Sequence, residues 1–210
     1  MADGEKTGLG KAVLLLGLTL PSSLLLTGCG EKLPEVTPEE GTEVVQIAEP
    51  AAGELLRTLV TRVTASVEEG GAAQAVEFCS MDAIPLTRLV EAGLDGGLTL
   101  KRTSFRYRNP DNAPDEAEEL ALRYFEDAIL SDGEAPPHYV QRVSPEELRY
   151  YKPLFVGEFC LQCHGDYESL ASEVRAKLDA KYPGDLATGY KAGDLRGLVR
   201  VSVPAALVQE

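Results

Sequence analysis

Two thiols and an imidazole stand at fixed spacing near position 160. Cys160, Cys163 and His164 lie in the run CLQCH, and Cys-x-x-Cys-His is the attachment pattern of c-type haem. Each thiol adds to one vinyl group of the same porphyrin, which fixes their separation, and the adjacent imidazole reaches the iron as an axial ligand. The sequence therefore predicts one covalent haem c with His164 on the iron.

Three other interpretations of this motif are weaker. A thioredoxin-type motif would stand in a βαβ context, and none surrounds it. A zinc site would need two further ligands, for which only Cys79 and His138 remain. A simple disulfide is compatible with an oxidising compartment. The apolar N-terminal run favours haem, because c-type haem is attached outside the cytoplasm.

The residues alone leave the opposite face of the iron undecided. Haem iron accepts sulfur as well as nitrogen ligands, so Cys79, Met81, His138 and an open position all remain candidates. Cys79 has no obvious thiol partner, and a buried structural cysteine is the ordinary alternative for it.

A cationic stretch at residues 101–108 contrasts with the acidic composition. Arg102 and Arg108 are the candidates for pairing with a haem propionate, because a guanidinium binds a carboxylate through two hydrogen bonds. The alternative is a solvated strand face, whose surface ion pairs contribute little.

The N-terminus has the pattern of an export leader. Residues 12–27 form an apolar run of 16 residues, short for a membrane span of about 20 residues and typical of a signal peptide. The run ends in LTGC, so the pattern predicts a lipoprotein signal peptide over 1–28 and lipid attachment at Cys29. Gly30 favours the outer over the inner membrane. An uncleaved anchor or plain signal peptide is the alternative, and each places the domain on the periplasmic side.

Composition excludes several classes of protein. The 210 residues include 34 acidic and 20 basic side chains, a net charge of −14. This excess argues against nucleic acid as a partner, because phosphate binding needs a basic face. Apolar residues are 44 % and charged residues 26 %, close to the average of soluble domains, which excludes disordered and multi-span membrane chains.

Hydrophobic periodicity predicts an α+β domain with an antiparallel sheet over residues 51–210. The acidic, proline-containing stretch 29–50 is predicted to be a flexible tether. The predicted helices cover 51–69, 72–79, 80–92, 115–130 and 168–178. The predicted strands cover 98–108, 138–143, 148–156 and 197–203.

Four groups of residues carry a resemblance to a known family. They are AVEFC at 75–79; RTS at 102–104 with RNPDNAPD at 108–115; YKP at 151–153 before CLQCHG at 160–165; and YPGD at 182–185 with ATGY at 187–190 and GDLRG at 193–197. In this order they resemble the single-haem, PAS-like c-type sensor domain family, long catalogued as a domain of unknown function.

The resemblance implies a PAS-like fold with a central antiparallel sheet, N-terminal helices and one covalent haem c. It implies His164 and Cys79 as the two axial ligands. Haem iron with one imidazole ligand and one anionic thiolate ligand favours the ferric state, so the expected reduction potential is low. We expect reduction to weaken the hold of Cys79 and to open the iron to CO, NO or another ligand.

The resulting expectation is a redox or gas sensor that signals through a separate periplasmic protein. The alternative is a periplasmic monohaem electron carrier that keeps both ligands. A haem enzyme such as a peroxidase is not expected, because an acid–base distal site is poorly served by two histidines and no tryptophan.

Overall fold

A computed structural model describes Met1 and residues 33–208 of the chain. The predicted signal peptide, apart from Met1, and the predicted lipidation site Cys29 lie outside the described residues. The described helices are α1 (Pro38–Met81), α2 (Ala83–Ala92), α3 (Glu116–Asp132), α4 (Leu161–His164) and α5 (Ser172–Lys181). The described strands are β1 (Thr99–Thr103), β2 (Tyr139–Ser144), β3 (Glu147–Phe155) and β4 (Leu195–Pro204).

The first helix begins earlier than the sequence predicted. Thr37 caps it, with the Thr37 side chain accepting from the Glu40 backbone and the Glu40 carboxylate accepting from the Thr37 backbone, a capping box. Pro38 stands in the first turn, where its missing N–H costs nothing. Val44 and Ala48 are fully buried in the core. Residues 38–50 of the predicted tether are therefore part of the folded domain, because their apolar side chains belong to its core.

A glycine pair interrupts α1. Gly70 and Gly71 leave helical geometry, and Gly71 takes φ +78°, a conformation that costs other residues energy. The segment that follows, residues 72–81, carries Cys79. The predicted break between helices 51–69 and 72–79 is confirmed.

The four strands form one antiparallel sheet in the order β1-β4-β3-β2. Tyr150 of β3 lies opposite Val201 of β4, and both are fully buried against Ala52 and Leu55 of α1. Alternating apolar residues give the sheet one face for this helix. The predicted α+β class with an antiparallel sheet is confirmed.

The predicted strand 98–108 ends early. β1 stops at Thr103, and the Ser104 backbone N–H donates to the Asn112 carbonyl instead of to a strand. The residues after Thr103 therefore leave the sheet. Arg108 reaches the cysteine motif, and Arg106 donates to the carbonyls of Leu186 and Thr188.

No helix within the described residues combines the length and apolar character required to cross a membrane.

Candidate functional site

The Cys-x-x-Cys-His motif occupies two short helical turns. A 3₁₀ turn, Glu158–Cys160, leads directly into α4. Because residues three apart lie on the same side of a helical turn, the Cys160 and Cys163 thiols face the same cavity, and both are free. A Cβ at Gly165 would lie 2.6 Å from the Leu161 carbonyl oxygen, so the turn after the motif requires glycine.

A loop at residues 185–190 holds the histidine of the motif. The backbone N–H of Gly189 donates to the Gly165 carbonyl at 2.7 Å, and that of Tyr190 donates to the His164 carbonyl at 2.9 Å. His164 Nδ1 lies 2.7 Å from the Ala187 carbonyl oxygen. A carbonyl only accepts, so Nδ1 carries the proton and Nε2 keeps its lone pair for a metal.

The surroundings of His164 favour its neutral form. Burial lowers the pKa of the imidazole well below its usual range, and the positive charges of Arg108 and Arg196 lower it further. A neutral imidazole is the form that ligates iron.

Arg108 links the motif to the loop at residues 185–190 through hydrogen bonds. Its Nε donates to Asp185 Oδ2 at 3.0 Å, and its Nη2 donates to the Cys163 carbonyl at 2.6 Å. Asp185 in turn accepts from the Ala187 backbone at 2.8 Å. In this structure Arg108 therefore fixes the motif relative to the carbonyl that orients His164. Its contact with a haem propionate stays a prediction.

One cavity collects the predicted site residues. It contains about 870 Å³ free of protein atoms, a volume that includes space open to solvent. Aliphatic side chains from both parts of α1 form one wall: Leu59, Val60, Val63, Val67, Ala75 and Val76. The functional side chains that line it are Cys79, Arg102, Arg108, Cys160, Cys163 and His164.

The structure distinguishes among the candidates for the second axial position. Cys79 lines the cavity. Met81 is 55 % exposed and borders a different groove beside Phe78. His138 stacks on Tyr150 with ring centroids 5.9 Å apart and is not among the residues that line this cavity. Of the three side chains, Cys79 is thus the one that lines the same cavity as His164.

Charge and burial act in opposite directions on Cys79. Burial raises the pKa of its thiol, while the positive charges of Arg102 and Arg108 oppose that rise. The thiol makes no hydrogen bond to any described residue. A cation that coordinated this sulfur would hold it as thiolate.

The residues present fit the predicted haem. Two free thiols three residues apart, an imidazole nitrogen with a free lone pair and a third thiol, that of Cys79, line one largely aliphatic cavity. Arg102 adds a buried Nε that has no hydrogen-bond partner among the described residues, as expected of a group that awaits a carboxylate.

Sequence reasoning did not find the groups that hold His164. Asp185 and the Ala187 carbonyl lie in a turn-rich segment without hydrophobic periodicity. The Asp185 carboxylate accepts from the backbone N–H of Ala187 two residues on, a local turn that is typical of aspartate. The backbone carbonyl leaves no signal in the residue types.

Together, the α+β fold and this cavity define a domain built around a Cys-x-x-Cys-His motif. The family model described as Tll0287-like matches residues 39–204. The chain therefore belongs to the Tll0287-like family, and the resemblance carried by the four groups of residues is confirmed.

A solved structure, "Crystal structure of the cyanobacterial heme-protein Tll0287", is similar to this chain. The two share 24 % identity with a TM-score of 0.54, over 80 % of this chain and 96 % of the other. At that identity the likeness shows a shared fold. No curated protein matches the sequence.

Proposed function

We propose that this protein carries one covalent haem c between His164 and Cys79 and acts as a redox or gas sensor. The observation that supports the proposal is the single cavity shared by Cys79, Cys160, Cys163 and His164. The similar solved structure is, by its title, that of a haem protein.

The two motif cysteines would form thioethers. Each S–H adds across one vinyl double bond, the sulfur bonding to one carbon and the hydrogen going to the other, so no oxidant or reductant is consumed. Their common side of the helical turn and their free thiols suit this addition. Covalent attachment would keep the group beside His164 Nε2.

Bound haem would supply an iron that changes between ferric and ferrous states and takes sulfur, nitrogen or small gas ligands. The chain holds the two proposed ligands unequally. His164 is fixed through its Nδ1, through its backbone carbonyl and through Arg108. Cys79 has no hydrogen bond to a described residue and lies beyond the break at Gly71. Cys79 is therefore the ligand suited to leave on reduction, which would move residues 72–81.

We place this haem domain in the PAS-like class, which the antiparallel sheet supports. We also propose that it is a lipoprotein anchored through Cys29 on the periplasmic side, with the outer membrane favoured. Its output would pass to a separate redox or signalling protein. We propose no enzymatic activity, since the lining residues that α1 contributes to the cavity include no acid–base side chain other than the proposed ligand Cys79.

A spectroscopic titration tests this function. The mature protein, expressed with c-type maturation, is checked by mass spectrometry for one covalent haem. Visible spectra are then recorded oxidised, reduced, and reduced under CO. We expect a low-spin ferric spectrum with thiolate character and a CO adduct after reduction. Unchanged six-coordination that resists CO would identify an electron carrier instead, and absence of covalent haem would refute the proposal.

A further inference from the structure

A second cavity lies on the sheet side of His164. It contains about 500 Å³ free of protein atoms, and His164 forms part of its wall. Its other polar lining comes from two arginines, two hydroxyl residues, a tyrosine and an asparagine: Arg102, Arg196, Thr103, Ser104, Tyr107 and Asn112. Arg102 lines both this cavity and the one that holds the cysteine motif.

Two of the residues that line this cavity have a buried polar group without a partner among the described residues. The Nε of Arg102 and the hydroxyl of Thr103 are both inaccessible to solvent and have no hydrogen-bond partner among the described residues. Thr103 is only 2 % exposed. Buried polar groups are nearly always hydrogen-bonded, because an unsatisfied one costs its full desolvation energy. A ligand with acceptor atoms would satisfy both groups.

The charge of the cavity is also uncompensated. Arg102 and Arg196 make no ion pair with a described carboxylate, and no acidic residue is among those that line the cavity. Arg196 Nη1 donates to Ser104 Oγ at 3.1 Å and to the Arg106 carbonyl at 3.0 Å, both neutral acceptors. Burial lowers the pKa of Arg196, and repulsion from Arg108 and Arg102 adds to this effect. Buried cations are normally paired with an anion.

We propose that Arg102, Thr103 and Arg196 form a carboxylate-binding site beside His164. A carboxylate offers two oxygens with several lone pairs and can accept from a guanidinium and a hydroxyl together. Two sources share this chemistry: a propionate of the proposed haem, in which case the inference rests on the proposed function, and a free small carboxylate.

Two substitutions in the purified protein test the site. Arg102→Met removes the charge at similar size, and Thr103→Val removes only the hydroxyl. With the carboxylate bound, in the haem-loaded protein or in excess acetate or succinate, we expect each to lower the Tm by at least about 3 °C, as when one hydrogen bond to a charged group is lost in a domain of this size. Arg88→Met, on an exposed arginine of α2, and Thr99→Val, on the exposed end of β1, are the matched controls. Both should leave the Tm within about 1 °C of the wild type.

The source of the carboxylate follows from a titration with sodium acetate and sodium succinate, with sodium chloride at equal ionic strength as the reference. A free ligand raises the wild-type Tm with increasing concentration, and Thr103→Val weakens that response. If a haem propionate occupies the site, the two variants show the same fall in Tm, and added carboxylate does not change the Tm. Arg102→Met then also shifts the haem toward the ferric form by about tenfold, which is about 59 mV for one electron.

Unchanged or increased stability of the variants would contradict the site. A buried, unpaired arginine or hydroxyl is better replaced by an apolar group. Variants as stable as the wild type or more so, with no response to carboxylates, would therefore overturn the site. Mass spectrometry separates this failure from that of the proposed function. If the wild type carries no haem, the acetate and succinate titration alone decides whether the site binds a carboxylate.

Discussion

His164 and Cys79 face the same cavity, but the chain restrains them to different degrees. His164 is fixed by the Ala187 carbonyl at Nδ1 and by the Tyr190 backbone N–H at its own carbonyl. Arg108 and Asp185 hold the loop that supplies the first of these contacts. The Cys79 thiol makes no hydrogen bond to a described residue. This difference supports the proposal that His164 is a permanent ligand and Cys79 an exchangeable one.

Asp185→Asn tests the role of the Arg108–Asp185 contact. Both side chains are only about one-tenth exposed, so loss of the charge weakens a partly buried ion pair and the orientation of His164. We expect the free energy of unfolding to fall by about 1.5–3 kcal/mol, measured by urea denaturation. In the haem-loaded protein the ferric spectrum should broaden because the imidazole is less well held.

The control for this prediction is Asp179→Asn. Asp179 is an exposed residue of α5 that accepts from the Tyr167 hydroxyl, and its substitution should cost less than about 0.5 kcal/mol. Equal effects of the two substitutions would contradict a special role for Asp185.

At the scale of elements, the break in α1 separates its core-packing part from its ligand-bearing part. The first part packs on the sheet through Leu55 and its neighbours. The second packs on α5, where Val76 contacts the cluster of Val174 and Leu178. Glu77 also accepts from Lys177 of α5 at 2.8 Å. The position of Cys79 therefore depends on α5 and on the geometry of the glycine pair.

Gly71→Ala tests that geometry. Nothing lies within 4 Å of a Cβ at this position, so the substitution costs only the strain of a backbone conformation that glycine almost alone adopts, φ +78° with ψ 179°, about 1–3 kcal/mol. We expect lower stability in chemical denaturation and a larger CO-reactive fraction in the reduced protein, because the Cys79 segment loses its preferred direction. Gly184→Ala also meets open space but lacks positive φ, and it should behave as the wild type.

Most elements followed from the sequence because their patterns are local. The alternation of apolar residues gave β3 and β4 to within two residues, and the glycine pair gave the break in α1. The start of α1 was missed because three prolines and several acids in residues 33–50 obscured its apolar face, although Thr37 and Glu40 form a recognisable capping box.

The candidate site was predictable only in part for a related reason. The thiols, His164 and Arg102 are side chains of distinctive chemistry, and they lie together as expected. The Ala187 carbonyl and the pairing of Arg108 with Asp185 depend on tertiary contacts over more than twenty residues, which no local pattern encodes. Arg196 was missed for the same reason.

At the scale of the whole molecule, charge is unevenly distributed. The chain is strongly acidic, yet three arginines line the two cavities: Arg102, Arg108 and Arg196. Positive charge near Cys79 and His164 opposes the preference for ferric iron that a thiolate ligand creates. These arginines are therefore expected to raise the potential of a His/Cys haem from the value the ligands alone would set.

The acidic groups predict how stability depends on pH. Glu40 accepts from the Thr37 backbone and pairs with Arg142, contacts that lower its pKa from the usual 4.5. Hydrogen bonds and Arg149 also lower the pKa of Asp115 and Glu147, although burial opposes both shifts. A lowered folded-state pKa contributes stability above the unfolded-state pKa, and this is lost as pH falls through the folded-state value.

We therefore expect the Tm to fall between about pH 5 and about pH 3. Burial raises the pKa of Glu126. This one carboxyl group therefore contributes the opposite dependence of stability on pH. Glu40→Gln should reduce the slope, whereas Glu39→Gln, on an exposed neighbour in the same turn, should leave it unchanged. A slope unaffected by Glu40→Gln would show that its contacts contribute nothing to folding in solution.

The most direct test of the central claim is the ferric visible spectrum of the haem-loaded protein with Cys79→Ala, compared with Met81→Ala. If His164 and Cys79 ligate the iron across one cavity, Cys79→Ala abolishes the thiolate bands and opens the ferric iron to added ligands. Met81→Ala, on an exposed side chain outside the cavity, leaves the spectrum unchanged. A wild-type spectrum in Cys79→Ala would contradict the account.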